Sequence, residues 1–118
     1  DNATLMQYLP PSTWEKSEWS DADKGRQLTY LLLHGADWAQ TRTIAKNPER
    51  YFEHNPILGN HPSIGRVNNY FLATGLGHLL LMNALPPEWR KWAQYGTIGL
   101  EAGATGRNKL KLGIGMTF

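Results

Sequence analysis

The sequence predicts a mainly α fold: a three-helix bundle with an irregular N-terminal arm and one C-terminal β-strand. Three observations carry this. Helix-start residues at Ser20, Ser63 and Pro87 each open a long stretch that ends at a proline or runs into a glycine-rich segment. Pro10-Pro11, with Trp14 and Trp19 behind it, blocks regular structure at the N-terminus. The last ten residues alternate apolar and non-apolar without a miss, which is the period of a strand.

The boundaries follow in chain order, as one domain over 1–118. The arm covers 1–19. Helix 1 covers 20–46: Ser20 is the N-cap, Asp21 and Asp23 complement the helix dipole, and Ser20-x-x-Asp23 approximates a capping box. A loop over 47–62 holds Pro48, Pro56 and Pro62, and Asn55-Pro56-Ile57-Leu58-Gly59 reads as a rigid turn. Helix 2 covers 63–85 and stops at Pro86-Pro87. Helix 3 covers 87–106, and the strand covers 109–118 with Leu110, Leu112, Ile114, Met116 and Phe118 on its buried side. A weakly alternating segment, Thr4 to Leu9, is the only internal partner on offer for that strand. An unpaired edge exposes backbone donors and acceptors, so the strand predicts assembly with a protein partner or with copies of the chain.

Composition narrows the function classes. The chain has 118 residues, 41% hydrophobic and 19% charged, which fits one globular domain. It has no cysteine, which excludes disulfides, zinc–thiolate sites and thiol nucleophiles. The net charge is +2, and the basic residues are scattered, with Arg107-Asn108-Lys109-Leu110-Lys111 the densest group. No nucleic-acid partner is expected from that distribution. A start at Asp1 without an initiator Met fits a processed product, as after removal of an export signal, or a trimmed chain.

Helix 3 carries two distinct faces. Trp89, Trp92, Gly96, Gly99, Gly103 and Gly106 share one, and Arg90, Gln94, Thr97, Glu101, Thr105 and Asn108 share the other. Each glycine costs about 1 kcal/mol of helix propensity relative to alanine, and close helix packing is the usual compensation. Gly96, Gly99, Gly103 and Gly106 are therefore expected to pack against the other helices. The polar stripe, Glu101 included, is expected to face solvent or line a lumen. Membrane insertion is finely balanced: mean hydropathy is −0.48, and polar residues interrupt every helix, yet Tyr70, Trp89, Trp92 and Tyr95 suit interfacial belts.

Chemistry-bearing constellations are sparse. His34 and Asp37 lie three residues apart on helix 1, a spacing that can share a metal, with Glu53 a third candidate ligand. The commoner outcome for such a pair is mutual hydrogen bonding, or bonding to the loop, that fixes helix packing, and that outcome is preferred here. Asn55 and the loop backbone are the expected partners of Asp37. No catalytic residue, cofactor or nucleophile motif is read from the chain.

The pattern Asp37-Trp38-x-Gln40-Thr41, then Glu53-x-Asn55-Pro56-Ile57-Leu58-Gly59 and His61-Pro62-Ser63, resembles a group of small helical membrane proteins of bacteria and their phages. The similarity runs from about Trp19 to Phe118. It implies Asp37, Gln40, Thr41, Glu53, Asn55 and Pro56 as characteristic positions and brings no established activity with it. The expected function is then a non-enzymatic envelope or membrane-associated protein. It self-assembles or docks on a larger complex, with copies of itself, a protein partner or lipid as partners, in the bacterial cell envelope. The alternatives are a phage envelope or virion component for lysis or DNA entry, and a metal-dependent hydrolase using His34, Asp37 and Glu53.

Overall fold

A computed structural model describes residues 18–114. It contains three helices: α1 (Asp21–Lys46), α2 (Ile64–Ala84) and α3 (Pro87–Leu112). Ser20 caps α1 as a full capping box, accepting from the Asp23 N–H while Asp23 accepts from the Ser20 N–H, each at 3.0 Å. Ser63 caps α2 through the Arg66 N–H at 3.1 Å. Pro87 opens α3, where its missing N–H costs nothing.

Side-chain pairs fix the arrangement. Asp23 meets Arg90, Gln27 meets Gln94 and His34 meets Glu101, all 67 residues apart, and Gln40 meets Asn108 at 68. The constant offset makes α1 and α3 parallel. Pairs of α1 with α2 run the other way: Gln27 with His78, His34 with Phe71, Trp38 with Asn68. So α2 is antiparallel to both. The loop between α1 and α2 folds back over the far end, where Leu58, Val67 and Phe71 form a small apolar core with Trp38 and Tyr70 against it.

The polarity of α3 is the reverse of the sequence expectation. Arg90 and Gln94 are 0% exposed, and Asn108 is buried further along the same face. The glycine stripe faces outward: a Cβ added at Gly96, Gly99, Gly103 or Gly106 would meet nothing within 4 Å. Trp92 is 61% exposed and Leu100 is 75% exposed on the same side. The expected packing of the three helices through those glycines therefore does not occur among the described residues. The physical reason is hydrogen bonding. Facing polar residues on α1 (Asp23, Gln27, His34, Gln40) give the α3 stripe partners that water would otherwise supply, so the stripe turns inward.

The C-terminal strand is corrected as well. Lys109–Leu112 continue α3, and the helix ends at Gly113, whose φ of 70° is a left-handed cap. The Gly113 N–H donates to Lys109 O and the Ile114 N–H to Asn108 O, both at 3.1 Å. Ile114 is buried against the bundle, and Leu110 projects outward from the helix. The alternating run concealed a helix stop: lysines in the last turn, then glycine in the left-handed position. Met116 and Phe118, like the arm over 1–17 and the Thr4 to Leu9 segment, lie outside the described residues.

Two substitutions separate the inward from the outward face by denaturant unfolding. Arg90→Ala removes one of the two cations paired with the buried Asp23 carboxylate and the donors to three backbone carbonyls, and is expected to cost about 3 kcal/mol. Gly103→Ala adds a methyl group in open space and is expected to raise protomer stability by up to about 1 kcal/mol.

Candidate functional site

A polar spine runs between α1 and α3 and ends in a cavity. Arg90 begins it. Its guanidinium donates to Asp23 Oδ2 at 2.9 Å, Met82 O at 2.8 Å, Leu85 O at 3.1 Å and Glu18 O at 3.0 Å, and lies 4.6 Å from the Trp19 ring centroid. Asp23 also accepts from Arg26. Burial would raise the Asp23 pKa, but the Ser20 N–H and Arg90 outweigh it and hold the carboxyl below its ordinary value. Gln94 donates to Asp23 O and Gln27 Oε1, and accepts from Arg26 Nε. Gln27 donates to His78 Nδ1 at 3.1 Å, and His78 Nε2 lies 2.9 Å from Thr97 Oγ1. Burial and the neighbouring His34 lower the His78 pKa to about 4, so this ring is neutral, with Nε2 carrying the proton. Tyr30 stacks on it at 3.6 Å between centroids.

His34 behaves in the opposite sense. Its Nε2 donates to Phe71 O at 2.9 Å, and its Nδ1 faces Glu101 Oε1 at 3.3 Å. Burial alone would lower its pKa, yet the bond to Glu101, the Phe71 carbonyl and Asp37 together raise it. Glu101 is thus a half-buried partner of His34 and not a solvated surface charge. Beyond it stands Asp37, which accepts from Thr41 Oγ1 at 3.2 Å. Burial first, then Glu101 within hydrogen-bonding reach, then Glu53, push its carboxyl up to about 8. Glu101 Oε2 is buried without a donor. A proton on Asp37, which its raised pKa favours, supplies one.

The cavity at this end has a volume of about 370 Å³. Asp37 and Thr41 of α1, Arg107 and Asn108 of α3, Phe71 of α2 and the loop residues Glu53, Asn55 and Leu58 line it. Glu53 is held by its own loop: Oε1 accepts from the His54 and Asn55 N–H groups at 2.9 and 3.0 Å, and its N–H donates to Asn60 O. Its Oε2 is buried and has no partner. Asn55 makes an Asx turn onto the Ile57 N–H and donates to Tyr70 Oη at 2.8 Å. It does not satisfy Asp37, as the sequence suggests, because Tyr70 is its partner. Gly59, at φ 83°, closes the turn. Arg107 makes no hydrogen bond or ion pair among the described residues.

The structure brings Asp37, Thr41, Glu53, Asn55 and Pro56 to this one cavity, while Gln40 turns to Thr105 O and Asn108 on the α3 side. It does not assemble His34, Asp37 and Glu53 as a ligand set, since His34 is committed to Phe71 and Glu101. Among the described residues no three His, Asp or Glu side chains are placed to hold a metal ion. Sequence reasoning missed Arg107, Glu101, Arg90, Gln94, Tyr30 and His78 as members of the spine or cavity. For Arg90, Gln94 and Glu101 the signal was present in the 3.6-residue spacing of the α3 polar stripe, which was assigned to the wrong side; Arg107, Tyr30 and His78 had no such local signal. No protein-family model matches the chain, and no curated protein or solved structure matches it.

The raised pKa of Asp37 makes stability pH-dependent. A carboxyl whose folded pKa is raised stabilises the fold below its unfolded value of 3.8, and that contribution is lost as pH rises through about 8. His34, also raised, loses its contribution in the same direction above 6.5, whereas His78 acts only below 6.5. The expected result is a Tm lower by about 5 °C or more at about pH 8.5 than at about pH 6.5, with most of the difference abolished in Asp37→Asn. An unchanged slope in the variant would remove Asp37 as its source.

Proposed function

We propose that this protein is a non-enzymatic, membrane-associated interaction protein of the bacterial envelope that assembles through the outer face of α3. The observation that carries this is the inverted polarity of the bundle. Between Arg26 and Arg42 on α1, and between Lys91 and Arg107 on α3, Asp37 and Glu101 are the only Asp, Glu, Lys or Arg residues, and both belong to the interior spine. That interval is about 24 Å of helix. Over the same height Leu28, Leu32, Leu72, Leu76, Leu80 and Leu100 are exposed. A continuous apolar belt of this kind marks a surface covered by something other than water.

Lipid hydrocarbon suits the belt because the exposed residues come from all three helices. Trp89, Trp92 and Tyr95 sit at one end of it and Phe52 at the other, as aromatic side chains do at lipid–water boundaries. Among the described residues no helix is long and apolar enough to cross a membrane, since each carries polar residues along its middle. The bundle turns Gln27, His34, Gln40, His78 and Gln94 inward, which favours lipid contact by the bundle as a unit. Within the belt the outward glycines of α3 allow a second helix to approach closely, and a second copy of the chain is the partner in this reading. The assembly contact therefore moves from the C-terminal strand to α3.

Detergent-free fractionation with vesicle flotation tests the first half. The expected result is co-flotation with vesicles and recovery in the membrane fraction. A monodisperse monomer in buffer, failing to float, contradicts the proposal. Crosslinking in mild detergent tests the second half: Gly99→Leu is expected to reduce the dimer fraction severalfold without loss of helical signal, because a leucine holds two helices apart.

A further inference from the structure

We propose that the cavity between α1, α3 and the Glu53–Gly59 loop binds a small zwitterion, with its ammonium group between Asp37 and Glu53 and its anionic group on Arg107. Glu53 and Arg107 put groups of opposite charge on this cavity wall, with the Asp37 carboxyl beside them, yet among the described residues Arg107 makes no ion pair. One carboxylate oxygen of Glu53 is buried with no donor, although the other is fully engaged by the loop backbone. A buried, unsatisfied oxygen of that kind costs stability unless a ligand, ion or water meets it.

Size and wall chemistry narrow the occupant. About 370 Å³ is far more than a bare ion fills and enough for an amino acid or a phosphoethanolamine group. Arg107 on the wall disfavours a metal cation and offers a planar fork to a carboxylate or phosphate. Leu58, Pro56 and Phe71 give an apolar side for the carbon atoms. The ligand chemistry is thus an ammonium a few bonds from an anionic oxygen group. A free amino acid carries it, and so does the headgroup of an ethanolamine phospholipid. The second source fits a cavity at the end of the charge-free belt. The first does not require lipid, so the inference stands independently of the membrane reading.

Isothermal titration and ligand-observed NMR with glycine, L-alanine and O-phosphoethanolamine test the free source. Phosphatidylethanolamine vesicles against phosphatidylcholine vesicles test the headgroup, because a quaternary ammonium has no N–H to donate. Saturable binding of at least one probe is expected at concentrations up to about 10 mM. Glu53→Gln and Arg107→Gln are each expected to weaken it about tenfold or more. Both variants are expected to keep the fold: glutamine retains the oxygen that accepts from His54 and Asn55, and Arg107 has no hydrogen bond or ion pair among the described residues to lose. Binding of a free probe assigns a soluble zwitterion. Binding confined to phosphatidylethanolamine vesicles and weakened in both variants assigns the headgroup. Absence of saturable binding to every probe, or binding that survives either substitution, overturns the proposal.

Discussion

The buried pair of Arg90 and Asp23 is the constraint on which the rest of this structure depends. A guanidinium with no exposure has to be satisfied inside the protein, and four acceptors converge on it: one carboxylate and three backbone carbonyls. Such a pair contributes little net stability over an apolar substitute. It does specify register. Once Asp23 is under Arg90, the equal lengths of α1 and α3 bring Gln27 to Gln94, His34 to Glu101 and Gln40 to Asn108 without further adjustment. Slipping α3 by one turn would break every bond in the spine together, so the polar interior selects one alignment where an all-leucine interface would tolerate several.

That register also creates the cavity. α2 meets α3 beside the Pro86-Pro87 turn, through Met82 with Arg90 and His78 with Thr97. At the far end the Glu53–Gly59 loop fills the space against α1 and α2 and leaves the cavity over Asp37 and Arg107. Three carboxyls, Asp37, Glu53 and Glu101, lie at that end; His34 faces Glu101, and burial beside Glu101 and Glu53 raises the pKa of Asp37 and favours its protonated form. The same stretch that positions the helices thus concentrates the groups able to meet a charged ligand.

Much of the fold was legible in the sequence. The capping box at Ser20, the cap at Ser63 and the prolines at 86 and 87 are local signals, and they mark helix starts in the structure as well. Lys109–Leu112 were misread because a two-residue alternation is short enough to ride on a helix, and Gly113 is a left-handed stop that strand logic treats as a filler. The orientation of α3 was misread for a different reason. Amphipathic helices normally turn the apolar face inward, and only the matching polar residues on α1, far away in sequence, reverse that preference. Arg107 illustrates the limit: nothing local distinguishes it from Arg42 or Arg66, and its place on the cavity wall follows from tertiary register alone. Glu53 and Asn55 stood out as a pattern, and part of that pattern is now explained by loop construction. The remaining part is the free oxygen of Glu53.

The polar-in, glycine-out arrangement of α3 is tested most directly by crosslinking, and the absence of native cysteine makes this clean. Gln27→Cys paired with Gln94→Cys would be treated with a short bifunctional thiol reagent and compared with Gln27→Cys paired with Gly96→Cys. Efficient intrachain crosslinking of the first pair and little of the second is the predicted result. Crosslinking of Gly96→Cys in preference to Gln94→Cys would place the glycine face inside and contradict the account.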